Sequence, residues 1–224
     1  MTDSWQELHA ALDAFPAAVA PFRAEACGHC CTPADLAALA GPPEAVPDRL
    51  LATAVIRTPG HWNDHPALIR RLAPRLMRAV ATDSLGVGEG TVGTRFRQAR
   101  WQLWPEPERS ALLGIWRTWL DLTLRHHPTR VPVSRVLDLL AAAAGTLAPW
   151  LDRWPAQGLP AADRQLSELL DDWLLYDRPD TLRLGHGGEL HVGPELFTWL
   201  NGLDPTRLTA DQRYVLALLS AGRP

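Results

Sequence analysis

Apolar residues recur along the chain every three or four positions, in runs separated by Pro, Gly, Ser, Thr and Asp. Over 66–81, Leu68, Ile69, Leu72, Leu76 and Val80 form one stripe, and Arg71, Arg75 and Arg78 fall on the opposite face. Pro74 lies inside that stripe, where it removes a backbone donor and should kink or split the helix. Glu106 to Arg125 has the strongest pattern, with Leu112, Trp116, Trp119 and Leu120 on one side. Ser4 with Glu7 reads as a capping box opening a helix to about Phe15, and Thr209 with Gln212 as a second box. Thr32, Pro33 and Asp35 supply an N-cap, an N1 proline and an N3 carboxylate in the preferred order. Pro47 and Asp64 can open two more helices, and Thr91 can cap a segment reaching Leu103. Further helices are predicted over about 132–144 and 161–176.

One stretch departs from this period. Thr181 to Leu184 and Glu189 to Val192 alternate apolar and polar residues around Gly185-His186-Gly187-Gly188, which predicts a small β-hairpin near residues 181–192. With strands otherwise lacking, a parallel sheet is excluded. The expected fold is all-α, either an irregular helical array or HEAT-like stacked helical hairpins joined by short Pro/Gly turns. The chain is read as a single domain over 1–224, with a hinge near 155–160 where prolines cluster.

Composition narrows the chemistry. The 224 residues are 46% hydrophobic and 21% charged, which fits a globular chain and excludes wholesale disorder. All 22 basic residues are arginine, so lysine Schiff bases, a Walker-A lysine and a kinase-type lysine are ruled out. The net charge of −3 supplies no global attraction to nucleic acid. The opening residues lack a basic region followed by an apolar one, so no signal peptide is expected. The most apolar later stretch, Val136 to Leu151, is broken by Asp138, Gly145 and Pro149 and is shorter than the roughly 20 residues a spanning helix needs. Three cysteines within five positions suit a reducing compartment, and the expected location is the cytoplasm.

Four segments carry a resemblance. They are Cys27-Gly28-His29-Cys30, then Ile69-Arg70-Arg71-Leu72-Ala73-Pro74-Arg75-Leu76, then Ala99-Arg100-Trp101-Gln102-Leu103-Trp104-Pro105-Glu106-Pro107-Glu108-Arg109, and last Leu147 to Trp154. Their order, with Trp62 between the first two, resembles a group of uncharacterised bacterial all-helical proteins with an N-terminal Cys-x-x-Cys segment and Pro-Arg-Leu and Trp-Pro-x-x-Glu-Arg signatures. The resemblance covers roughly residues 27–154. It implies a helical fold and that Cys27 and Cys30 act together, and it brings no activity.

The cysteine segment is the sharpest chemical feature. Cys-x-x-Cys lets two thiolates reach one ion from a tight turn, and zinc asks for four N or S ligands. Cys27 and Cys30 are therefore candidate zinc ligands, with His29 and Cys31 as the nearest completing residues and His61 or His65 as distant candidates. A second reading is a redox dithiol, Cys27 attacking and Cys30 resolving, although the capped helix begins after the cysteines and no βαβ unit surrounds them. A third is that the thiols simply pack a turn.

Arg70, Arg71, Arg75, Arg78, Arg95, Arg97 and Arg100 are opposed between 70 and 100 only by Asp83 and Glu89, and Trp101 and Trp104 follow. The plainest reading is a helix face paired with carboxylates elsewhere in the chain. The functional one is a surface for an acidic protein partner formed by Arg71, Arg75, Arg78, Arg95, Arg97 and Arg100, with nucleic acid a lesser alternative. Gly88 to Gly93 spells G-x-G-x-x-G without the preceding strand a dinucleotide site requires, and reads as a loop ending at an N-cap. The expectation is an interaction or scaffold module, not an enzyme.

Overall fold

The structure, a computed structural model, describes residues 4–16, 22–154, 159–176 and 181–221. Eleven α-helices run through them: α1 (Ser4–Asp13), α2 (Pro33–Ala40), α3 (Asp48–Ile56), α4 (His65–Ala81), α5 (Glu89–Gln98), α6 (Glu106–Arg125), α7 (Val133–Ala144), α8 (Ala148–Leu151), α9 (Pro160–Asp171), α10 (Gly193–Asn201) and α11 (Ala210–Ala221). A π-helical turn, Asp172–Tyr176, extends α9. Two short antiparallel strands, β1 (Arg183–Leu184) and β2 (Leu190–His191), pair Arg183 with His191 and Leu184 with Leu190. The all-α class with its small hairpin is as predicted. The packing order is irregular: α1 lies on α6 and α4, and α5 packs chiefly on α7.

Local signals set the helix starts. Thr32 Oγ1 accepts from the Asp35 amide at 3.1 Å, while the Asp35 carboxylate accepts from the Thr32 amide at 3.1 Å, which completes a capping box. Asp64 accepts from the Ala67 amide at 3.0 Å and caps α4. Thr209 and Gln212 form the second box, with bonds of 3.1 and 3.2 Å. The Ser4 side chain of the box predicted with Glu7 and most of the 155–160 hinge lie outside the described residues.

The split allowed for at Pro74 and the reading of the glycine motif as a loop are corrected. Helix α4 runs through Pro74 as one element. Proline removes a single intrahelical bond, whereas Leu68, Ile69, Leu72, Leu76 and Val80 on both sides of it are buried in one core. The second concerns the glycine motif. Helix α5 begins at Glu89 with Gly88 as its N-cap, so Thr91 is an interior residue and Gly90 and Gly93 lie on the helix itself. The helix also stops at Gln98, with Arg100 in the left-handed region at φ 51°.

Those two glycines explain how α5 meets α7. A Cβ on Gly93 would overlap the Leu139 carbonyl oxygen and stand 2.9 Å from the Ala142 Cβ. A Cβ on Gly90 would overlap the Asp138 carboxylate. The helices touch backbone to backbone, which only glycine allows. Asp138 then accepts from the Gly185 amide at 2.7 Å and so docks the hairpin loop onto the helix pair. Thr94 continues this contact, accepting from the His186 amide at 3.0 Å and donating to Glu189 at 2.6 Å. Gly185, Gly187 and Gly188 have φ of 83°, 64° and 70°, so the loop's composition follows from its backbone.

Trp116 on α6 is the hub of the aromatic core. Phe96, Trp101 and Trp150 meet it edge to face at centroid distances of 5.6, 4.8 and 6.4 Å. Several indole N–H groups are satisfied inside: Trp101 donates to the Ala143 carbonyl at 2.8 Å, Trp154 to Ala162 at 3.0 Å and Trp116 to the Met77 sulfur at 3.3 Å, whereas those of Trp119, Trp150 and Trp199 have no partner among the described residues. The tryptophans thus serve packing, as their helical spacing suggested.

Two glycine-to-alanine changes should have opposite signs. Gly93→Ala should destabilise by roughly 3 kcal/mol, because backbone would have to move apart. Gly114→Ala, in the middle of α6 with nothing near its added Cβ, should stabilise by about 0.5–1 kcal/mol through helix propensity. Urea denaturation of the two variants checks both signs.

Candidate metal centre

The cysteine segment has no helix of its own and is held by a second loop. Ala26 forms an isolated antiparallel bridge with Trp62. Beside it, Asn63 accepts from the Glu25 amide at 2.9 Å, donates its own amide to the Glu25 carbonyl at 3.1 Å and donates Nδ2 to the Arg23 carbonyl at 3.1 Å. Trp62 is buried and anchors this loop. A 3-10 turn, Pro59–His61, then sets His61 opposite the cysteines. On the other side the Cys30 amide donates to the Cys27 carbonyl at 3.2 Å, so both thiols project from one turn.

The sulfurs of Cys27 and Cys30 and one ring nitrogen of His61 all lie within 4.8 Å of one another. Tetrahedral zinc with thiolate ligands places donor atoms about 3.8 Å apart, so the three need only a modest contraction to share an ion. His61 Nε2 is buried and has no hydrogen-bond partner among the described residues. The His61 ring stands edge-on to Trp62 at 4.9 Å, which fixes its plane. The hydrogen bond from Cys30 holds the Cys27 thiol below its usual range, and the same bond raises that of Cys30. Arg57 lowers both.

Of the ligands predicted from sequence, Cys27 and Cys30 are therefore brought together. His29 is exposed and is not part of the cluster. Cys31 is buried in the core, and that burial pushes its thiol up. Its side chain faces inward because it immediately precedes the α2 cap and packs with the apolar core. Between the two distant candidates, the structure selects His61. Sequence could name it by type, but not choose it over His65.

His65 is 3% exposed at the start of α4, and neither ring nitrogen has a hydrogen-bond partner among the described residues. Desolvation, reinforced by the Arg95 guanidinium, lowers its pKa to about 4.

The predicted partner-binding arginines are mostly engaged within the chain. Arg71 donates to the Ala40 and Gly41 carbonyls at 2.9 and 2.5 Å. Arg75 pairs with Asp48 at 2.5 Å and Arg78 with Asp13 at 2.6 Å. Arg97 pairs with Glu189. Arg95 is 2% exposed and donates to the Val55 and Ile56 carbonyls and to Gln98. Arg100 alone of the six has no side-chain hydrogen bond or ion pair among the described residues. Arg70 pairs with Glu108 at 2.5 Å through both oxygens.

Comparison of the chain with family models, with curated proteins and with solved structures found no match. No helix among the described residues is long and apolar enough to cross a membrane.

The buried His65 should leave a mark on acid stability. The unfolded chain takes up a proton near pH 6.5, while the folded chain resists until about 4. Stability should fall by roughly 3 kcal/mol across that window. In His65→Leu this part of the loss should vanish, so unfolding free energies at the two ends of the window, compared between the proteins, check the sign and the size.

Proposed function

We propose that the protein is a helical interaction module whose N-terminal segment is held in place by a zinc ion bound through Cys27, Cys30 and His61. The observation that carries this reading is a ring nitrogen of His61 beside two thiols on a separate loop, in an imidazole whose buried Nε2 has no partner among the described residues. A buried ring nitrogen without a partner is costly, and a metal removes that cost while neutralising two thiolates. The ion would join residues 27–30 to residues 59–61, and so stiffen a stretch of chain that carries no regular element.

Three ligands leave one position open. The other two candidates nearby, His29 and Cys31, lie outside the cluster. The fourth ligand in this reading is water or a group from a bound molecule, in the manner of sites that keep an open position. The interaction role is supported by exposed apolar side chains one turn apart on α11, Tyr214 at 66% and Leu218 at 55% exposure. An acidic partner is supported less, because five of the six arginines spend their donors inside the chain. The same pairing weakens a nucleic-acid reading.

A second reading is a dithiol redox centre, favoured by the depressed Cys27 thiol and the Cys30 bond that causes it. Against it, α2 begins at Pro33, so no helix N-terminus lies behind Cys27.

Elemental analysis of purified, untagged protein decides between these. About one zinc per chain is expected, lost in Cys27→Ser, Cys30→Ser and His61→Ala and retained in His29→Ala and Cys31→Ser. Zinc that survives His61→Ala would overturn the assignment. Metal-free protein whose Cys27 reacts fast with alkylating agents at neutral pH would favour the redox reading.

A further inference from the structure

A groove of about 740 Å³ lies between the loop leading into α4 and the α5–α6 connection. Trp62, Asp64, His65, Arg100, Leu103 and Trp104 are among its lining residues. The geometry points to this groove as a binding site for a small organic carboxylate with an apolar body.

Three observations converge. First, two of the groove's lining side chains carry buried polar atoms without a partner among the described residues. Trp62 Nε1 has no partner, and neither ring nitrogen of His65 has one among the described residues. An indole N–H only donates, and a neutral imidazole donates through one nitrogen and accepts at the other, so two of these three atoms lack an acceptor. A buried donor left alone keeps an unrepaid desolvation cost, and a bound acceptor would remove it. The first turn of α4 begins beside them and adds its own positive end.

Second, the charge is complementary to an anion. Arg100 is exposed and carries no ion pair among the described residues, and it holds a left-handed backbone at φ 51° that side chains rarely adopt. Arg95 sits buried nearby, close enough to depress His65. Arg70 is neutralised by Glu108. The Asp64 carboxylate opposes an anion, but it accepts the Ala67 amide as the helix cap. Against Asp64, Arg95 and Arg100 leave one positive charge uncompensated. That balance argues against a metal cation at His65.

Third, an apolar side chain with nothing covering it stands on the rim. Leu103 is 76% exposed and adjoins Trp104, so a hydrocarbon body could lie against it with the carboxylate at Arg100 and turned toward the wall that Trp62 and His65 form. The groove's volume is in the range of small-molecule sites, about 300–1,000 Å³.

Hexanoate and its uncharged analogue hexanamide test this. The readout is the Trp62 indole N–H resonance, assigned with Trp62→Phe, in a titration reaching roughly 10 mM, where even weak ligands register. Hexanoate should shift that resonance saturably, and hexanamide should bind at least about tenfold more weakly. Arg100→Gly suits the left-handed backbone and should keep the fold. It and Arg100→Asn should each weaken hexanoate by roughly tenfold or more. The Cys27→Ser/Cys30→Ser double variant should bind hexanoate as well as the wild type. No shift, an equal response to the amide, or indifference to both Arg100 variants would overturn the proposal. So would loss of binding in the double cysteine variant, since the carboxylate would then be a ligand of the proposed metal. Success with metal-free protein would leave the groove standing even if the zinc reading fell.

Discussion

The contact on which most of the architecture depends is the close approach of α5 to α7. Gly93 lets the Leu139 carbonyl come within the space a methyl group would need, and Gly90 does the same for the Asp138 carboxylate. From that contact several things follow. Phe96, on the same helix, is directed toward Trp116 and Trp104. Asp138 is half-buried, and that desolvation raises its pKa, while the Gly185 and Gly90 amides it accepts pull the other way. Through Gly185 it docks the hairpin on α7, while Thr94 and Arg97 hold it to α5. Arg135, one turn before Asp138, closes the far edge by pairing with Glu89 at 2.5 Å and Asp83 at 2.8 Å.

Arginine takes the place of lysine throughout, and its geometry shows in how it is used. A planar guanidinium can bridge two acceptors at once, and here it repeatedly ties distant elements together. Arg71 joins α4 to the end of α2 through two carbonyls, and Arg95 joins α5 to the end of α3 the same way. Arg153 grips Asp121 on α6 with bonds of 2.9 and 2.5 Å. A cluster of like charges in the sequence becomes a set of internal clasps, because each arginine stem reaches a carbonyl or carboxylate from a different part of the chain. Arg100 is the exception in that cluster, and it lines the same groove as Trp62 and His65, whose buried polar atoms have no partner among the described residues.

How much of this could be read from the sequence depended on range. Helix starts were legible because capping is local: Thr32 with Asp35, Asp64 with Ala67, and Thr209 with Gln212 each lie within three residues. The stripe of α4 was legible from its period, yet its continuity through Pro74 was not, since the burial that outweighs one lost bond comes from other helices. The glycine motif was legible as lacking the preceding strand that a dinucleotide site requires, and among the described residues no strand precedes α5. Its actual use, a helix-to-helix contact with a partner about 50 residues away, leaves no mark in the local pattern. The two cysteines of the candidate centre were legible from their spacing. His61 was only one of two, because the choice is made by Asn63, whose three bonds to the segment at 23–25 set the register between the two loops.

That register also bears on why a metal would matter. Residues 22–31 form no helix and only one isolated bridge. Their attachment rests on Asn63 and on the burial of Ala24 and Cys31 at either end of the stretch. Hydrogen bonds at an exposed edge contribute little net free energy, and ordering a segment without regular structure costs conformational entropy at every residue. A cross-link between Cys27, Cys30 and His61 acts where that balance is weakest, and it uses an imidazole whose ring Trp62 already orients. The cost of assembling the ligands is thus met by the fold before an ion arrives. This is the physical reason to place the metal at His61: His29, in the exposed part of the same turn, has no such preorganisation, and Cys31 already serves the core.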